Sequence, residues 1–586
     1  MRTILLSMVL SGLAFAVSLV RAARFVLTAS LVLAGGLAAP GIVHAEPAAG
    51  ASVADPDDLL PWERDALERD GLAPASSAPD AAPDAALVAS SPSLQPVPAI
   101  AGETAAEDRQ EATEEPAGPP HPAVTIIRGT LVDKDLAKKD FAKNAPEADI
   151  AALQMFYEAS SAPPLWVGES GLSAKGQAVL AEIGRANDWG LEAKDFTLPD
   201  ADSLPDEETA RALAEIKIDL AVLKYARFAK GGRQTPSKIS DHFDQTPALL
   251  EPAAVMAEVR AAPAADAYLR SLHPSHEQFA RLRDALVAAR AAEKPNETDI
   301  KRLVLNMERW RWMPEDLGAF YVWLNTPEFM LYVVKDGKTV YTDKTLVGTV
   351  KYPTPVFSAA FETIVFNPDW IAPPSVLRDK LWPALKRKDF NVIKSNQLRV
   401  SYKGRHIDPT KIDWRRTNIH RFVFTQKSGP KNVLGKAKFL YPNEHYVYMH
   451  DTLPYSRKIF KKSVRAFGNG CVRMENPKAF AELVLGEDQQ FPKSEVKALW
   501  DKGVNSPVTL KTLPPVHTTY FTAVVDQEGT VATFKDLYGL DRKHAKALFG
   551  SNDGFVPARR TRKRKTSNVT ASGGNGLSNA FGLFGN

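Results

Sequence analysis

Residues 328–348 read EFMLYVVKDGKTVYTDKTLVG, and this stretch decides the fold class of the C-terminal half of the chain. Two runs rich in β-branched and aromatic side chains stand on either side of Asp336-Gly337. An Asp-Gly pair between such runs is typical of a β-hairpin, because both residues tolerate the positive φ of a tight turn. The stretch therefore predicts two antiparallel strands joined by that turn.

The strand pattern continues on both sides of the hairpin, from about residue 300 to about 525. Further strand-like runs are AFYVWLN (319–325), FETIVFN (361–367), HRFVFTQ (420–426), GKAKFLYP (435–442) and EHYVYMH (444–450). Residues 478–502 have helical periodicity instead. Several short strands with turn signals between them predict an antiparallel sandwich or barrel with a helix or two.

The preceding segment, residues 125–295, has the pattern of helices. In residues 206–232, apolar side chains recur at helical spacing at Leu213, Ile216, Leu220 and Leu223. Acidic residues stand in the first turn, and Gly231 occupies the position of a C-terminal capping glycine. The segment is interpreted as a helical scaffold domain, so the predicted fold class is α+β, with helices before a β-rich domain.

The two ends of the chain differ in composition from these domains. Residues 1–45 contain two apolar runs separated by RAAR, and end in Val43-His44-Ala45, the order of a signal peptide or an N-terminal membrane anchor. Residues 46–124 are rich in Ala and Pro, which predicts a disordered linker. Residues 531–586 include ARRTRKRK and a Gly/Ser/Asn-rich end, which predicts a basic, low-complexity tail.

Charge and cysteine content narrow the function. A formal net charge of +4 over 586 residues is too small to indicate a nucleic-acid partner. The signal-like start predicts export, and exported proteins usually use cysteines in disulfides. Cys471 is the only cysteine of the sequence and cannot form a disulfide within the chain. It is therefore a nucleophile, a buried apolar thiol or half of an intermolecular bridge.

The neighbours of Cys471 in AFGNGCVRM (466–474) bear on this choice. A thiolate nucleophile needs a nearby base, and His450 stands at the end of the upstream strand-like run. Gly468 and Gly470 allow the backbone to approach a substrate and to point N–H groups at it, as an oxyanion hole requires. Arg473 is suited to lowering the thiol pKa or binding a carboxylate, or else forms a surface salt bridge.

A metal site is a weaker interpretation of the histidines. In a strand over 444–450, His445 and His450 are an odd number of residues apart, so their side chains point to opposite faces. No second cysteine is present to complete a ligand set. No metal and no cofactor are predicted.

YVYMHDT (446–452) and RAFGNGCVRMENP (465–477) resemble the signature of the YkuD-type L,D-transpeptidases, in which a His precedes Ser-His-Gly-Cys-(Val/Ile)-Arg. The resemblance is greatest to the YcbB-like branch and covers about residues 150–535. The stretches that resemble its catalytic domain are NMERWRWMPEDLG (306–318), TPVFS (354–358), VFNPDWIAPPSV (365–376), KFLYPN (438–443) and PVTLKTLPPVHTTYFTAVVDQEGTV (507–531). LQMFYEASSAPPLWV (153–167) resembles its scaffold domain.

The resemblance implies a catalytic domain at 300–530 that acts on peptidoglycan in the periplasm of a Gram-negative bacterium. In that family the cysteine attacks the carbonyl of the third stem-peptide residue, diaminopimelate, and expels D-alanine. The acyl group then passes to an amine, giving a 3-3 cross-link, protein anchoring or D-amino-acid exchange. The family contributes to cell-wall biogenesis and cell shape and is acylated by carbapenems. The acceptor and the oligomeric state are not predicted.

Carried over to this sequence, the resemblance makes Cys471 the nucleophile and His450 the general base. It also implies that the backbone carbonyl of Asp451 orients the imidazole, that Gly470 shapes the turn and that Arg473 lies beside the site.

One departure from the family signature is Gly468-Asn469 in place of Ser-His. The Asn469 amide can donate a hydrogen bond in place of the family histidine. Loss of one such donor costs roughly 100–1000-fold in rate. The alternative function is therefore a catalytically attenuated or silent peptidoglycan-binding scaffold protein.

Overall fold

The computed structural model describes residues 119–133, 142–143, 145–201, 204 and 206–555. The predicted signal or anchor (1–45), nearly all of the predicted linker and the end of the predicted tail lie outside the described residues. In the part of the chain that is described, no helix is both long enough and apolar enough to span a bilayer.

The first part of the described chain is built mainly of α-helices. They are α1 (Pro122–Leu131), α2 (Glu147–Glu158), α3 (Ala174–Gly184), α4 (Glu208–Gly231), α5 (Pro236–Ile239), α6 (Pro252–Ala261), α7 (Ala265–Ser271), α8 (Glu277–Ala291) and α9 (Glu297–Trp310). A short hairpin of β1 (Val167–Gly168) and β2 (Gly171–Leu172) lies between α2 and α3. The central helix is α4, in which the predicted stripe residues Ile216, Leu220 and Leu223 are buried. The positive-φ glycine that follows α4 is Gly232, one residue beyond the predicted cap.

The predicted start of the β region, at about residue 300, is wrong, because helix α9 lies there. Residues 297–310 are helical, and the strands begin only at Phe320. Asn296 caps α9 by accepting hydrogen bonds from the N–H groups of Thr298 and Asp299. The apolar residues of α9 recur at helical spacing and are buried, so the helical period outweighs the β propensity of the individual residues.

The second part is β-rich. Its strands are β3 (Phe320–Asn325), β4 (Met330–Lys335), β5 (Lys338–Gly348), β6 (Phe357–Ala360), β7 (Thr363–Phe366), β8 (Trp370–Ile371), β9 (Leu398–Tyr402), β10 (Arg405–His406), β11 (Val423–Gln426), β12 (Ala437–Leu440), β13 (Met449–His450), β14 (Ala466–Gly468), β15 (Val472–Met474), β16 (Ser506–Thr509), β17 (Pro515–Thr519), β18 (Ala523–Val525) and β19 (Val531–Thr533). The predicted hairpin is β4–β5, with φ of 48° at Asp336 and 72° at Gly337. The predicted α+β fold class is confirmed.

One large sheet has the strand order β16-β7-β12-β13-β15-β5-β4-β3-β17-β6, and β14 pairs with β5 beside it. The sheet is mixed rather than wholly antiparallel, because β13–β15, β14–β5 and β3–β17 are parallel pairs. Phe439, Met449 and Val472 lie side by side in neighbouring strands and form part of one buried core. Phe480, in the helix Pro477–Gln489, packs into the same core, which leaves the opposite face of these strands for the site.

Residues 370–434 form an inserted region between β7 and β12 that the sequence pattern did not separate from the main sheet. It has its own four-stranded sheet, ordered β10-β9-β11-β8, and its own buried cluster around Trp370, Trp414 and Phe424. The helices of the inserted region and of the remaining chain are α10 (Pro374–Val376), α11 (Trp382–Lys386), α12 (Asn391–Ser395), α13 (Pro477–Gln489), α14 (Lys493–Asp501) and α15 (Leu540–Phe549).

The predicted start of the tail, at residue 531, is wrong, because the folded part continues beyond it. β19 pairs with β18, and α15 follows at Leu540–Phe549, so residues 531–555 belong to the folded part. Leu540 and Ala545 are buried, and the carboxylate of Asp541 lies 2.7 Å from the guanidinium of Arg309 on α9. A three-residue strand and a ten-residue helix carry too few apolar residues to stand out in the composition.

Candidate active site

The register of two parallel strands places the predicted base on β13 and the predicted nucleophile at the start of the neighbouring strand β15. Met449 of β13 pairs with Val472 of β15, and His450 pairs with Arg473. Side chains alternate along a strand, so the buried Met449 and Val472 face the core while their neighbours face the other side. Cys471 immediately precedes β15 and therefore shares a face with His450 and Arg473.

The Cys471 thiol is half-buried at the start of β15. Its Sγ lies 3.9 Å from the carbonyl oxygen of Tyr446. Burial raises the pKa of the thiol, against the opposing effects of hydrogen bonding from Tyr448 and of the positive charges of Lys438 and Arg473. Because the effect of burial is the largest, the sulfur is held as a thiol when no substrate is bound.

His450 is 5% exposed, and its Nδ1 lies 2.6 Å from the backbone carbonyl oxygen of Asp451. Nδ1–H therefore donates to that carbonyl, so in the neutral imidazole Nε2 carries the lone pair that a general base needs. A backbone hydrogen bond with Leu434 also acts on the ring. Burial, followed by the charge of Arg473, lowers the pKa of His450 to about 3, so the imidazole is neutral. The Asp451 carbonyl occupies the position that the resemblance implies for it.

The side chain of Asp451 fixes that carbonyl in place. Its carboxylate accepts hydrogen bonds from the N–H of Lys436 at 2.9 Å and from the guanidinium of Arg457 at 2.8 Å. A Cβ on Gly435, which has a φ of 66°, would lie 2.5 Å from this carboxylate. Because of this tight packing, the carboxylate of Asp451 points toward Arg457 and the backbone. Asp451 contacts the imidazole of His450 through its carbonyl oxygen.

The turn before Cys471 needs its glycines. Gly470 has a φ of 103°, and its carbonyl accepts a hydrogen bond from Oγ1 of Thr354 at 2.7 Å. A Cβ on Gly468 would lie 2.9 Å from the carbonyl oxygens of Cys471 and Val347. The Tyr538 hydroxyl accepts from the N–H of Thr354 and donates to the carbonyl of Gly348 at 2.8 Å, which holds the Thr354 loop against the turn.

Asn469 contacts the inserted region. Its Nδ2 donates to Oγ of Ser375 on α10, at 3.2 Å. The turn that carries the nucleophile is therefore bonded directly to residues 370–434. The donor role of Asn469 toward a substrate stays a prediction.

The structure adds two residues to the site that the sequence reasoning did not identify. Tyr448 lies two residues before His450, and the two rings are 5.8 Å apart. Lys438 of β12 is paired directly with His450 across the strands, and its Nζ lies 4.7 Å from the centre of the Tyr448 ring. Strand alternation in YVYMH was a usable signal for Tyr448, whereas Lys438 requires the register between two distant strands.

His445 lies away from this group. Its Nε2 is 2.8 Å from a carboxylate oxygen of Asp244, in the loop after α5. It therefore shares no ligand position with His450. In the ranges that the structure describes, no group of three or more His, Cys, Asp or Glu side chains is suited to hold a metal ion.

The raised pKa of Cys471 and the lowered pKa of His450 predict how the reactivity of the thiol depends on pH. Alkylation requires the thiolate, and the thiol pKa lies above its ordinary value of 9.0, so the rate with iodoacetamide should still rise about tenfold per pH unit near pH 8. No step is expected near pH 6.5, because His450 is already neutral there. Intact-mass kinetics from about pH 5 to 10 measure this rate. A flat rate across about pH 5 to 8 would indicate a thiolate–imidazolium pair and contradict the prediction.

Comparisons with known proteins find families that match both parts of the described chain. Residues 319–510 match the family of L,D-transpeptidase catalytic domains, and residues 151–286 match a scaffold-domain family. A Haemophilus influenzae protein named as an L,D-transpeptidase is 28% identical over 244 residues, which are 42% of this chain and 48% of that protein. This chain thus spans about half the length of the curated relative that it matches.

A solved structure, an L,D-transpeptidase from Mycobacterium smegmatis, covers 34% of this chain and 58% of its own, at 11% identity. Its TM-score of 0.17 is too low to carry any argument. The resemblance of the sequence to L,D-transpeptidases is confirmed by the family match, and the YcbB-like branch stays a prediction.

Proposed function

From the L,D-transpeptidase catalytic domain that this chain contains at residues 319–510, we propose that it is a peptidoglycan L,D-transpeptidase with Cys471 as nucleophile and His450 as general base. The observation that carries this proposal is the parallel pairing of β13 and β15, in which His450 is opposite Arg473 and Cys471 directly precedes the paired residue Val472. The hydrogen bond from Nδ1 of His450 to the Asp451 carbonyl supports it, because that bond requires a proton on Nδ1 and so puts the lone pair of the neutral imidazole on Nε2.

The proposed first half-reaction forms a thioester. The thiol proton of Cys471 passes to Nε2 of His450, and the sulfur attacks the carbonyl carbon of diaminopimelate, the third stem residue. The C–N bond to D-alanine then breaks, and His450 returns the proton to the leaving amine. Backbone N–H groups of the Gly470 turn are suited to stabilise the oxyanion, since glycine allows the close approach.

The proposed second half-reaction transfers the acyl group. An acceptor amine attacks the thioester carbonyl, His450 takes the proton that the amine loses, and the sulfur leaves and is reprotonated. The acceptor is the amine of another diaminopimelate, a protein amine or a free D-amino acid. The signal-like residues 1–45 support a periplasmic location, either free or anchored by the N-terminus.

Intact-protein mass spectrometry with a carbapenem tests the proposal. The purified protein should gain the mass of one carbapenem, and peptide mapping should place it at Cys471. Incubation with a tetrapeptide muropeptide should release D-alanine and give transfer products. A protein that gains no mass and releases no D-alanine, yet sediments with purified sacculi, would instead be the silent scaffold protein.

Replacing His450 by glutamine should lower the rate of D-alanine release about 10²–10⁴-fold, because glutamine can donate to the Asp451 carbonyl but cannot accept the thiol proton. The matched control is His445→Gln, which changes a histidine bound to Asp244 away from the site and should leave the rate near that of the wild type. Circular dichroism verifies that both variants are folded. Equal losses in the two variants would argue against His450 as the base.

A further inference from the structure

The inserted region, residues 370–434, has a charge balance that differs from that of the rest of the chain. It contains 15 Lys and Arg residues, four Asp and no Glu, which gives a formal net charge of +11. The whole chain has a net charge of only +4, so the residues outside the inserted region carry a net charge of −7. A charge asymmetry of this size is typical of a surface that binds an anionic partner.

One group of these cations surrounds the β9–β10 hairpin. Arg405 is paired with Tyr402 across the hairpin, and Lys403 stands in its turn with a φ of 48°. The guanidinium of Arg421 lies 5.2 Å from the centre of the Tyr402 ring, and the ammonium of Lys403 lies 5.8 Å from it. Lys403, Arg405 and Arg421 are all exposed, so the end of the hairpin presents three positive charges around one aromatic ring.

A second group lies at the end of α11. The ammonium of Lys386 is 3.5 Å from the centre of the Trp382 ring, and the exposed Arg387 follows it in the chain. Nε of the exposed Arg415 donates to the carbonyl of Lys386 at 3.2 Å. Nε1 of Trp382 donates to the carbonyl of Trp414 at 2.9 Å. Two hydrogen bonds between α11 and residues 414–415 therefore hold this group in place.

Aromatic side chains connect the two groups. Trp414 is buried, and its ring lies 5.0 Å from that of Phe422. The Phe422 ring in turn lies 5.3 Å from that of Tyr402, so both groups of cations are attached to one aromatic cluster. The cations of the two groups are named the basic surface, which consists of Lys386, Arg387, Lys403, Arg405, Arg415 and Arg421.

The apolar residues of the inserted region argue against a lipid bilayer as the partner. Surfaces that enter a membrane interface present large apolar side chains beside their cations. In residues 370–434, which the structure describes throughout, no large apolar side chain is exposed. The basic surface is therefore suited to a hydrated polymer that carries many anionic groups.

The inserted region is also bonded to the part of the fold that carries Cys471. Nδ2 of Asn469 donates to Oγ of Ser375 at 3.2 Å. The hydroxyl of Tyr352, in the loop after β5, donates to the carboxylate of Asp379 at 2.6 Å. A polymer that is bound to the inserted region is thus held on an element that contacts the turn of the nucleophile.

We propose that the basic surface binds carboxylates of a peptidoglycan polymer outside the reacting stem peptide, and so holds the protein on its polymeric substrate. The identity of the polymer rests on the proposed function, since the donor of that reaction belongs to a polymer whose stem peptides carry free carboxylates. Binding at this surface involves no chemistry at Cys471 and is measured separately. Exposed ion pairs are individually weak, so the surface acts through their number.

Co-sedimentation with purified sacculi tests the surface. The full chain with Cys471→Ala is the reference protein, because it cannot form a covalent adduct with the polymer. The hairpin variant adds Lys403→Gln, Arg405→Gln and Arg421→Gln to the reference. It should bind sacculi about tenfold more weakly than the reference, as expected for the loss of three exposed ion pairs.

The matched control removes the same charge from exposed positions outside the inserted region. It adds Lys338→Gln, Lys493→Gln and Lys502→Gln to the reference and should bind sacculi as the reference does. Circular dichroism verifies that both triple variants are folded. Equal binding by the two triple variants, or a reference protein that does not sediment with sacculi, would refute the basic surface as a docking site.

A variant of the second group provides an independent measurement. Lys386→Gln, Arg387→Gln and Arg415→Gln, added to the reference, change α11 and the Arg415 turn and leave the hairpin intact. This variant should also bind sacculi about tenfold more weakly than the reference. Binding equal to that of the reference would exclude the second group from the docking surface.

Two further ligands test the chemistry of the partner. Sacculi whose carboxylates have been converted to amides should bind the reference as weakly as native sacculi bind the hairpin variant. Vesicles of phosphatidylcholine and phosphatidylglycerol in equal amounts should not distinguish the reference from the hairpin variant. Undiminished binding to the amidated sacculi would overturn the carboxylate assignment. Vesicle binding that the hairpin variant loses would assign the surface to a membrane instead.

The proposed function is tested separately from the docking surface. D-alanine release from a soluble tetrapeptide muropeptide is measured with the protein that retains Cys471. If this release is absent while the hairpin variant still loses binding to sacculi, the transpeptidase function fails and the docking surface stands. If release is present while the hairpin variant binds sacculi as the matched control does, the docking surface fails and the function stands.

Discussion

Replacing Cys471 by alanine should reduce transpeptidation of a tetrapeptide donor by on the order of 10⁶-fold, to the level that binding alone supports. The thiol is the only one in the sequence, so no other cysteine can form the thioester. The expected readouts are the absence of D-alanine release by chromatography and the absence of a carbapenem adduct by intact mass.

Stability measurements separate this loss from misfolding. Cys471 is half-buried beside a glycine turn rather than inside the core, so its truncation should lower the melting temperature only slightly. Cys471→Ser is the second variant, since it keeps a hydroxyl of similar size that is a much weaker nucleophile at neutral pH. D-alanine release by Cys471→Ala at the wild-type rate would exclude the cysteine mechanism altogether.

Replacing Asp541 by alanine should lower the free energy of unfolding by about 3–5 kcal/mol, because it leaves the buried guanidinium of Arg309 without its carboxylate. The two groups are 2.7 Å apart, and the side chains are only 1% and 3% exposed. Thr522 also donates to Asp541, at 3.0 Å, so a second buried polar group loses its acceptor. Urea unfolding followed by tryptophan fluorescence measures the change.

Two controls make this result specific. The double variant Asp541→Ala with Arg309→Met removes both charges and should recover a large part of the loss, since no buried charge is then unpaired. Asp553→Ala removes an exposed carboxylate from the same end of the chain and should stay within about 0.5 kcal/mol of the wild type. If Asp541→Ala behaves like Asp553→Ala, residues 531–555 do not contribute to the core and the predicted tail boundary stands.

The local features of the fold were predictable from sequence, because they depend on neighbouring residues. Asp336-Gly337 predicted the β4–β5 hairpin, and helical spacing predicted α4. The resemblance around Cys471 and His450 predicted the residues of the candidate site. In each case the signal lies within a short window, where turn geometry, periodicity or a motif can be recognised.

The remaining features depend on pairing between distant segments. The whole sheet sets the parallel register of β13 and β15 and the pairing of Lys438 with His450. The sequence of a strand of two or three residues does not indicate which strand it pairs with. The inserted residues 370–434 contain strands and helices like those around them, so composition did not separate them from the main sheet.

The bonds of Tyr538 have a consequence for the order in which the site is completed during synthesis. The ribosome makes the chain from its N-terminus, so Cys471 and His450 exist before Tyr538 does. The Thr354 loop that supports the Gly470 carbonyl is itself held by the Tyr538 hydroxyl. A nascent chain that ends before this tyrosine has its nucleophile and its base but lacks the support of the turn between them, so the thiol is positioned only when synthesis of the fold is nearly complete.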